Sequence, residues 1–232
     1  MNIRVLTSSL GGVILGLLTL FGTVTAFGQS AATGYEVTIT NLTPGESFTQ
    51  PIVIVHGKSI GVFQLGQPAS AELTALAEGG DTGPLATAVE ALPQVDAVAT
   101  GQELLGPGES TTVTVDAANG FERLTVAAML IPTNDGFYAL NGVTLPDTAG
   151  DTATYYATAY DAGTEPNDEL CTHIPGPPCN GEGVSDGTDG EGFIHVHSGI
   201  HGVGDLSAAE RDWRNPVALI RVHALAAQPA LQ

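Results

Sequence analysis

Two sets of side chains in this sequence have the type and spacing to do chemistry. The first is acidic. Asp135 lies in a turn, Pro132-Thr133-Asn134-Asp135-Gly136, directly after a strongly apolar run. Asp161 and Glu165 lie in Tyr160-Asp161-Ala162-Gly163-Thr164-Glu165, directly after an alternating run. A hard cation such as Ca2+ takes several oxygens, mostly carboxylates and carbonyls. Two loops at one end of a β-structure can supply them, with Gly163 letting the second loop fold back. Asp and Asn are also ordinary turn formers, so spacing alone leaves both readings open. The second set is His195, His197 and His201, an HxHxxxH pattern. Residues i and i+2 of a strand share a face, so His195 and His197 can point together, with His201 returning from a glycine-containing loop. Imidazole triads bind zinc, copper or nickel. The alternative is histidines that hold a loop by hydrogen bonds or sit half-buried, and His56, upstream in a strand, has no assigned role.

Other catalytic patterns are weak. Ser198 lacks a nucleophile elbow, no phosphate-binding glycine loop or zincin helix occurs, and no glycosidase-type carboxylate pair stands out. No enzyme activity is expected. The acidic stretch from Glu165 to Glu191, with Asp168, Glu169, Asp186 and Asp189, is either a solvated loop or a weak further calcium site. Trp213 either packs on one end of the fold or is an exposed recognition aromatic.

The elements that must position these residues are mostly strands. Tyr35–Asn41, Thr111–Val115 and Thr152–Tyr160 alternate, and Arg123–Ile131 is the strongest strand signal. Pro51–His56 is a continuous apolar run, suited to a strand buried on both faces. Ser59–Leu65, Gly192–His197 and Val217–Leu225 are further expected strands. Ser70–Glu78 and Gly83–Leu92 show helical spacing, with Gly79-Gly80 as a stop and Pro84 in a first turn. They read as a short helical insertion between strands. Seven to nine strands with Gly/Pro turns predict an all-β antiparallel sandwich, as one domain from residue 27 to 232.

Charge narrows the partners. Six Lys and Arg stand against 25 Asp and Glu, a net charge of −19. Nucleic acid and anionic membrane surfaces are disfavoured, because both need a basic patch. Cations are the natural small partners, although the acidity also serves solubility in a saline habitat. Residues 1–26 read as a signal peptide: Arg4, an uncharged run from Leu10 to Phe27, and the small residues Val24-Thr25-Ala26. Cleavage near Ala31 or Ala32, or retention as an anchor, are the alternatives. Export makes the two cysteines, Cys171 and Cys179, a predicted disulfide that closes one loop and contributes about 2–3 kcal/mol.

The stretch Leu130–Phe137 followed by Tyr160–Glu165 resembles the spondin domain, the amino-terminal module of F-spondin and mindin, which also occurs as a stand-alone secreted bacterial protein. The strands Pro51–His56 and Asn215–Val222 fit too, so the resemblance runs from about residue 35 to 225. It implies a C2-like β-sandwich with one Ca2+ held by three aspartates of the two motifs. Carried over, the ligands are Asp135, Asp161 and Glu165. Glu165 departs from the pattern, being one methylene longer than the family's aspartate. The resemblance further implies a secreted or cell-surface adhesion or recognition module with an extracellular partner and no membrane insertion. A transition-metal protein or metalloenzyme built on the HxHxxxH histidines is the competing expectation.

Overall fold

A computed structural model describes residues 30–102, 104–117, 120–184 and 189–227. The expected signal peptide and Asp186 lie outside them. The strands are β1 Gly34–Asn41, β2 Ser47–Phe48, β3 Ile52–His56, β4 Val95–Thr100, β5 Ser110–Asp116, β6 Arg123–Ile131, β7 Gly136–Thr144, β8 Thr152–Asp161, β9 His195–Val196 and β10 Ala218–Leu225. The helices are α1 Ala71–Gly79, α2 Gly83–Glu90 and α3 Ala208–Arg211. Every strand pair is antiparallel, in the order β4-β3-β6-β7-β8-β10-β1-β5, with β2 added to β6 and β9 to β8. The sheet curls until its end strands β4 and β5 approach each other, giving a nearly closed sandwich.

Side-chain alternation builds the main core. Val37 and Ile39 of β1, Val113 and Val115 of β5, and Ile220 and Val222 of β10 point inward. They meet Val53 and Val55 of β3, Val126 and Leu130 of β6, and Tyr138 of β7. The opposite face of β1 and β5 is polar, and Thr38 and Thr40 hydrogen-bond Thr112 and Ser110 at 2.9 and 2.7 Å.

The two longer helices do more than link strands. Leu73 and Leu76 of α1 and Leu85 and Val89 of α2 form a second core with Ile52 and Ile54 of β3, Ala127 of β6 and Phe137 of β7. A third layer therefore covers the outer face of β3, β6 and β7, which is why β3 is apolar at every position but its last. Ser70 caps α1 by accepting from Leu73 N at 3.3 Å, and Gly80 ends it in the left-handed region at φ 67°.

Two expected strands differ. Ser59–Leu65 forms a loop instead of a strand, because the Asn141 amide satisfies its backbone, accepting from Val62 N and donating to Phe63 O. Gly192–His197 shortens to β9, because Gly192 sits at φ 79° and Ile194 bonds to the backbone of Gly66 and Gln67. Strands β2, β4 and β7 were not expected from sequence.

The turn after β1 buries a carboxyl group. Asn41 and Thr43 side chains both donate to Glu46 O, and the Glu46 side chain is 0 % exposed with neither carboxyl oxygen hydrogen-bonded. Burial pushes its pKa up from 4.5 to about 8, against the pull of Arg211. Folded Glu46 is therefore protonated where the unfolded chain is ionised. Stability from this group is full below about pH 4.5 and is lost as pH rises through 8, by an amount on the order of 5 kcal/mol. Glu46→Gln should flatten the stability profile across that window, so urea-denaturation curves of variant and parent should diverge steadily with rising pH.

Candidate metal centre

Strand pairing brings the acidic residues to one end of the sheet. Gly136, the first residue of β7, pairs with Asp161, the last of β8, and His195 of β9 pairs with Asp161 on its other side. Asp135 and His195 thus flank Asp161. The loop after β8 then turns back. Gly163 stands at φ 68°, and a Cβ there would lie 2.3 Å from Phe193 O, so no other residue fits. Gly163 N donates to Asp161 Oδ1 at 2.7 Å. Thr164 N and Glu165 N both donate to Asp135 Oδ2, at 2.7 and 3.1 Å. Asp135 and Asp161 are 0 % exposed and Glu165 is 2 % exposed.

This is an unfavourable place for negative charge. Burial, then the neighbouring Asp161 carboxylate, pushes Asp135 up to about 7 despite the N–H donors of Thr164 and Glu165. Burial also raises Asp161, against Asn167, His195 and Gly163, while Glu191 adds to the rise. Asp135 Oδ1 is buried with no hydrogen-bond partner. Hard oxygen donors, buried together and incompletely satisfied, fit a divalent cation of the calcium type.

The three histidines take separate roles. Among the described residues, one group of three has donor atoms all within 4.8 Å of one another: Asp161, Glu191 and His195. His197 and His201 are not in it, and neither are Asp135 and Glu165. His197 is 5 % exposed, and its ring lies 4.9 Å from that of Trp213. Its Nδ1 accepts from Gly199 N at 3.0 Å, which leaves the ring proton on Nε2 and no lone pair for a metal. Burial, then His195 and His201, pushes its pKa down to about 4. His201 is exposed, with its backbone N–H on Glu169. His56 is buried on β3, bonded to Thr125 Oγ1 and Gly57 O. Trp213, 4 % exposed, is a packing residue.

Two partners escaped the sequence reading. Asn167 Nδ2 donates to Asp161 Oδ2 at 2.6 Å, and Asn134 links its turn to Asp168 and Glu169. Both stand beside residues already singled out, in Thr133-Asn134-Asp135 and Glu165-Pro166-Asn167. Glu191 was read only as the end of the acidic stretch, and the Gly192 turn separates it from β9.

The acidic loop is only partly solvated. Asp189 is exposed, but Glu169 is 4 % exposed and accepts from the N–H groups of His201, Gly202 and Val203 at 2.5, 2.7 and 2.9 Å. Cys171 and Cys179 form the disulfide that closes the same loop. Glu169→Ala would orphan three donors and should cost about 2–4 kcal/mol. Urea denaturation should show that loss, and amide exchange should quicken at His201 to Val203.

A family model described as Spondin_N matches residues 38–170. The matched stretch runs from β1 to the loop beyond β8. It includes Asp135, Asp161 and Glu165 and ends before His195. A search among curated proteins returns no match. With more than half of its length matched, and with the antiparallel sandwich described above, the chain belongs to the spondin N-terminal domain family.

Proposed function

We propose that this chain is an exported, calcium-stabilised recognition module and not an enzyme. One observation carries the reading: two adjacent carboxylates, Asp135 and Asp161, are fully buried, and Asp135 Oδ1 has no hydrogen-bond partner. Asp135, Asp161 and Glu165 would hold the ion. Calcium supplies positive charge that offsets their repulsion and ties the turn before β7 to the loop after β8. The chain's own part is orientation. The N–H groups of Thr164 and Glu165 engage Asp135 Oδ2, so Oδ1 is the atom left for an ion. Gly163 N and Asn167 Nδ2 fix the two oxygens of Asp161. Glu165 keeps the charge of the family's aspartate, and its backbone already anchors to Asp135.

The burial supports a structural ion rather than a reactive one. A site 0 % exposed at both aspartates offers a substrate no approach. Recognition then falls to the exposed loops and to the polar face of β1 and β5. Spondin domains are extracellular, and the Cys171–Cys179 disulfide suits export. An extracellular or cell-surface partner follows, and a net charge of −19 favours a basic one over nucleic acid.

Thermal unfolding tests the ion. Calcium at about 100 times its dissociation constant should add about 2.7 kcal/mol, raising Tm by several degrees over chelator-treated protein. Asp161→Ala should abolish that difference and match the chelated parent. Equal Tm values with and without calcium in the parent would overturn the reading.

A further inference from the structure

A second metal-binding arrangement lies on the β9 side of Asp161. His195 Nε2 is 3.5 Å from Asp161 Oδ1 and 3.9 Å from Glu191 Oε2. The other ring nitrogen is committed: His195 Nδ1 lies 3.1 Å from Val196 O. A carbonyl oxygen only accepts, so Nδ1 carries the hydrogen and the neutral ring has its lone pair on Nε2. That lone pair faces two carboxylate oxygens, which are also acceptors. Three acceptors converge, an arrangement satisfied by a proton on Nε2 or by a bound cation. A ring N–H held by a backbone carbonyl, with the opposite nitrogen facing carboxylates, is the orientation that metal-ligating histidines adopt.

Each member is held from outside the cluster. Asp161 is 1 % exposed at its side chain and fixed by Gly163 N. Asn167 Nδ2 bridges from Asp161 Oδ2 to Glu191 Oε1, at 2.6 and 3.4 Å, and draws Glu191 inward. Glu191 and His195 are 37 % and 30 % exposed at their side chains, so an ion can enter from solvent. One imidazole and two carboxylates do not suit calcium, which takes oxygen alone. They suit a borderline divalent ion of the zinc class, with three protein ligands and an open fourth position.

We infer that Asp161, Glu191 and His195 bind a zinc-class divalent cation, with Asp161 standing between this site and the calcium site. The inference shares Asp161 with the calcium reading, and Glu191 and His195 belong to it alone.

Isothermal titration of the chelator-stripped protein with Zn2+, in the presence of calcium, should give one zinc per chain. His195→Ala and Glu191→Gln should each weaken zinc by at least about 10-fold, the loss that even an outer-shell partner causes. His195→Ala should keep its calcium-dependent Tm, which shows that it folds. Asp135→Asn should lose the calcium effect and keep zinc, and a parent that binds zinc without responding to calcium would refute only the calcium reading. Unchanged zinc affinity in His195→Ala would overturn the inference. So would loss of zinc in His197→Ala with His195→Ala unaffected. Absence of zinc binding in the parent, with nitrogen NMR showing His195 as an imidazolium paired to the carboxylates, would also overturn it.

Discussion

The repulsion between Asp135 and Asp161 is the constraint around which this end of the molecule is organised. The β7–β8 register forces the two residues together, since Gly136 pairs with Asp161. Removal from water makes ionisation of both costly. Backbone N–H groups, the Asn167 amide and the His195 imidazole all converge on the pair, yet both carboxyls remain raised. Such a cluster persists only if added positive charge makes up the difference, as protons or as a cation. The left-handed glycine at 163 turns the chain so that Gly163, Thr164 and Glu165 bring N–H donors to these two groups.

That constraint ties irregular segments to the sheet. The loop after β8 anchors on Asp135, then passes Asn134 and Asp168 before Glu169 fixes the segment at 201–203. The order is carried by carboxylates accepting backbone N–H groups together with the burial of Ile174, Ile200 and Leu206 in the main core. Charge-assisted bonds of this kind supplement the apolar anchors where the loops lack regular secondary structure.

The sequence foretold those parts of the fold whose pattern is set by one dominant environment. Strands β1, β5, β8 and β10 alternate because one face meets the core and one meets solvent. β3 and β6 read as apolar runs because helices cover their second face. β7 was missed: Gly136 to Leu140 is buried throughout, but Asn141 and the positive φ of Gly142 break the pattern before it acquires length. β4 is only half-buried and carries Asp96 and two alanines, a weak signal. Asp135, Asp161 and Glu165 were legible because they abut strong strands, so pairing dictates where they go. Glu191 was legible only as part of an acidic stretch and not as a neighbour of Asp161, because a long irregular segment has no period that fixes its path. The HxHxxxH reading assumed a strand continuing through His197, whereas β9 ends at Val196 and His197 turns onto Trp213.

Near-closure of the sheet has a consequence for self-association. A free strand edge is a template for pairing with another copy, and long flat edges seed fibres. Here the two terminal strands of the sheet turn toward each other, and a bridge between Phe48 of β2 and Leu105 ties the β4–β5 connection to the sheet. What remains of the β5 edge is short and hydroxyl- and acid-bearing, from Ser110 to Asp116. The curvature of the sheet thereby protects the chain against edge-to-edge aggregation, and its net charge of −19 reinforces that protection.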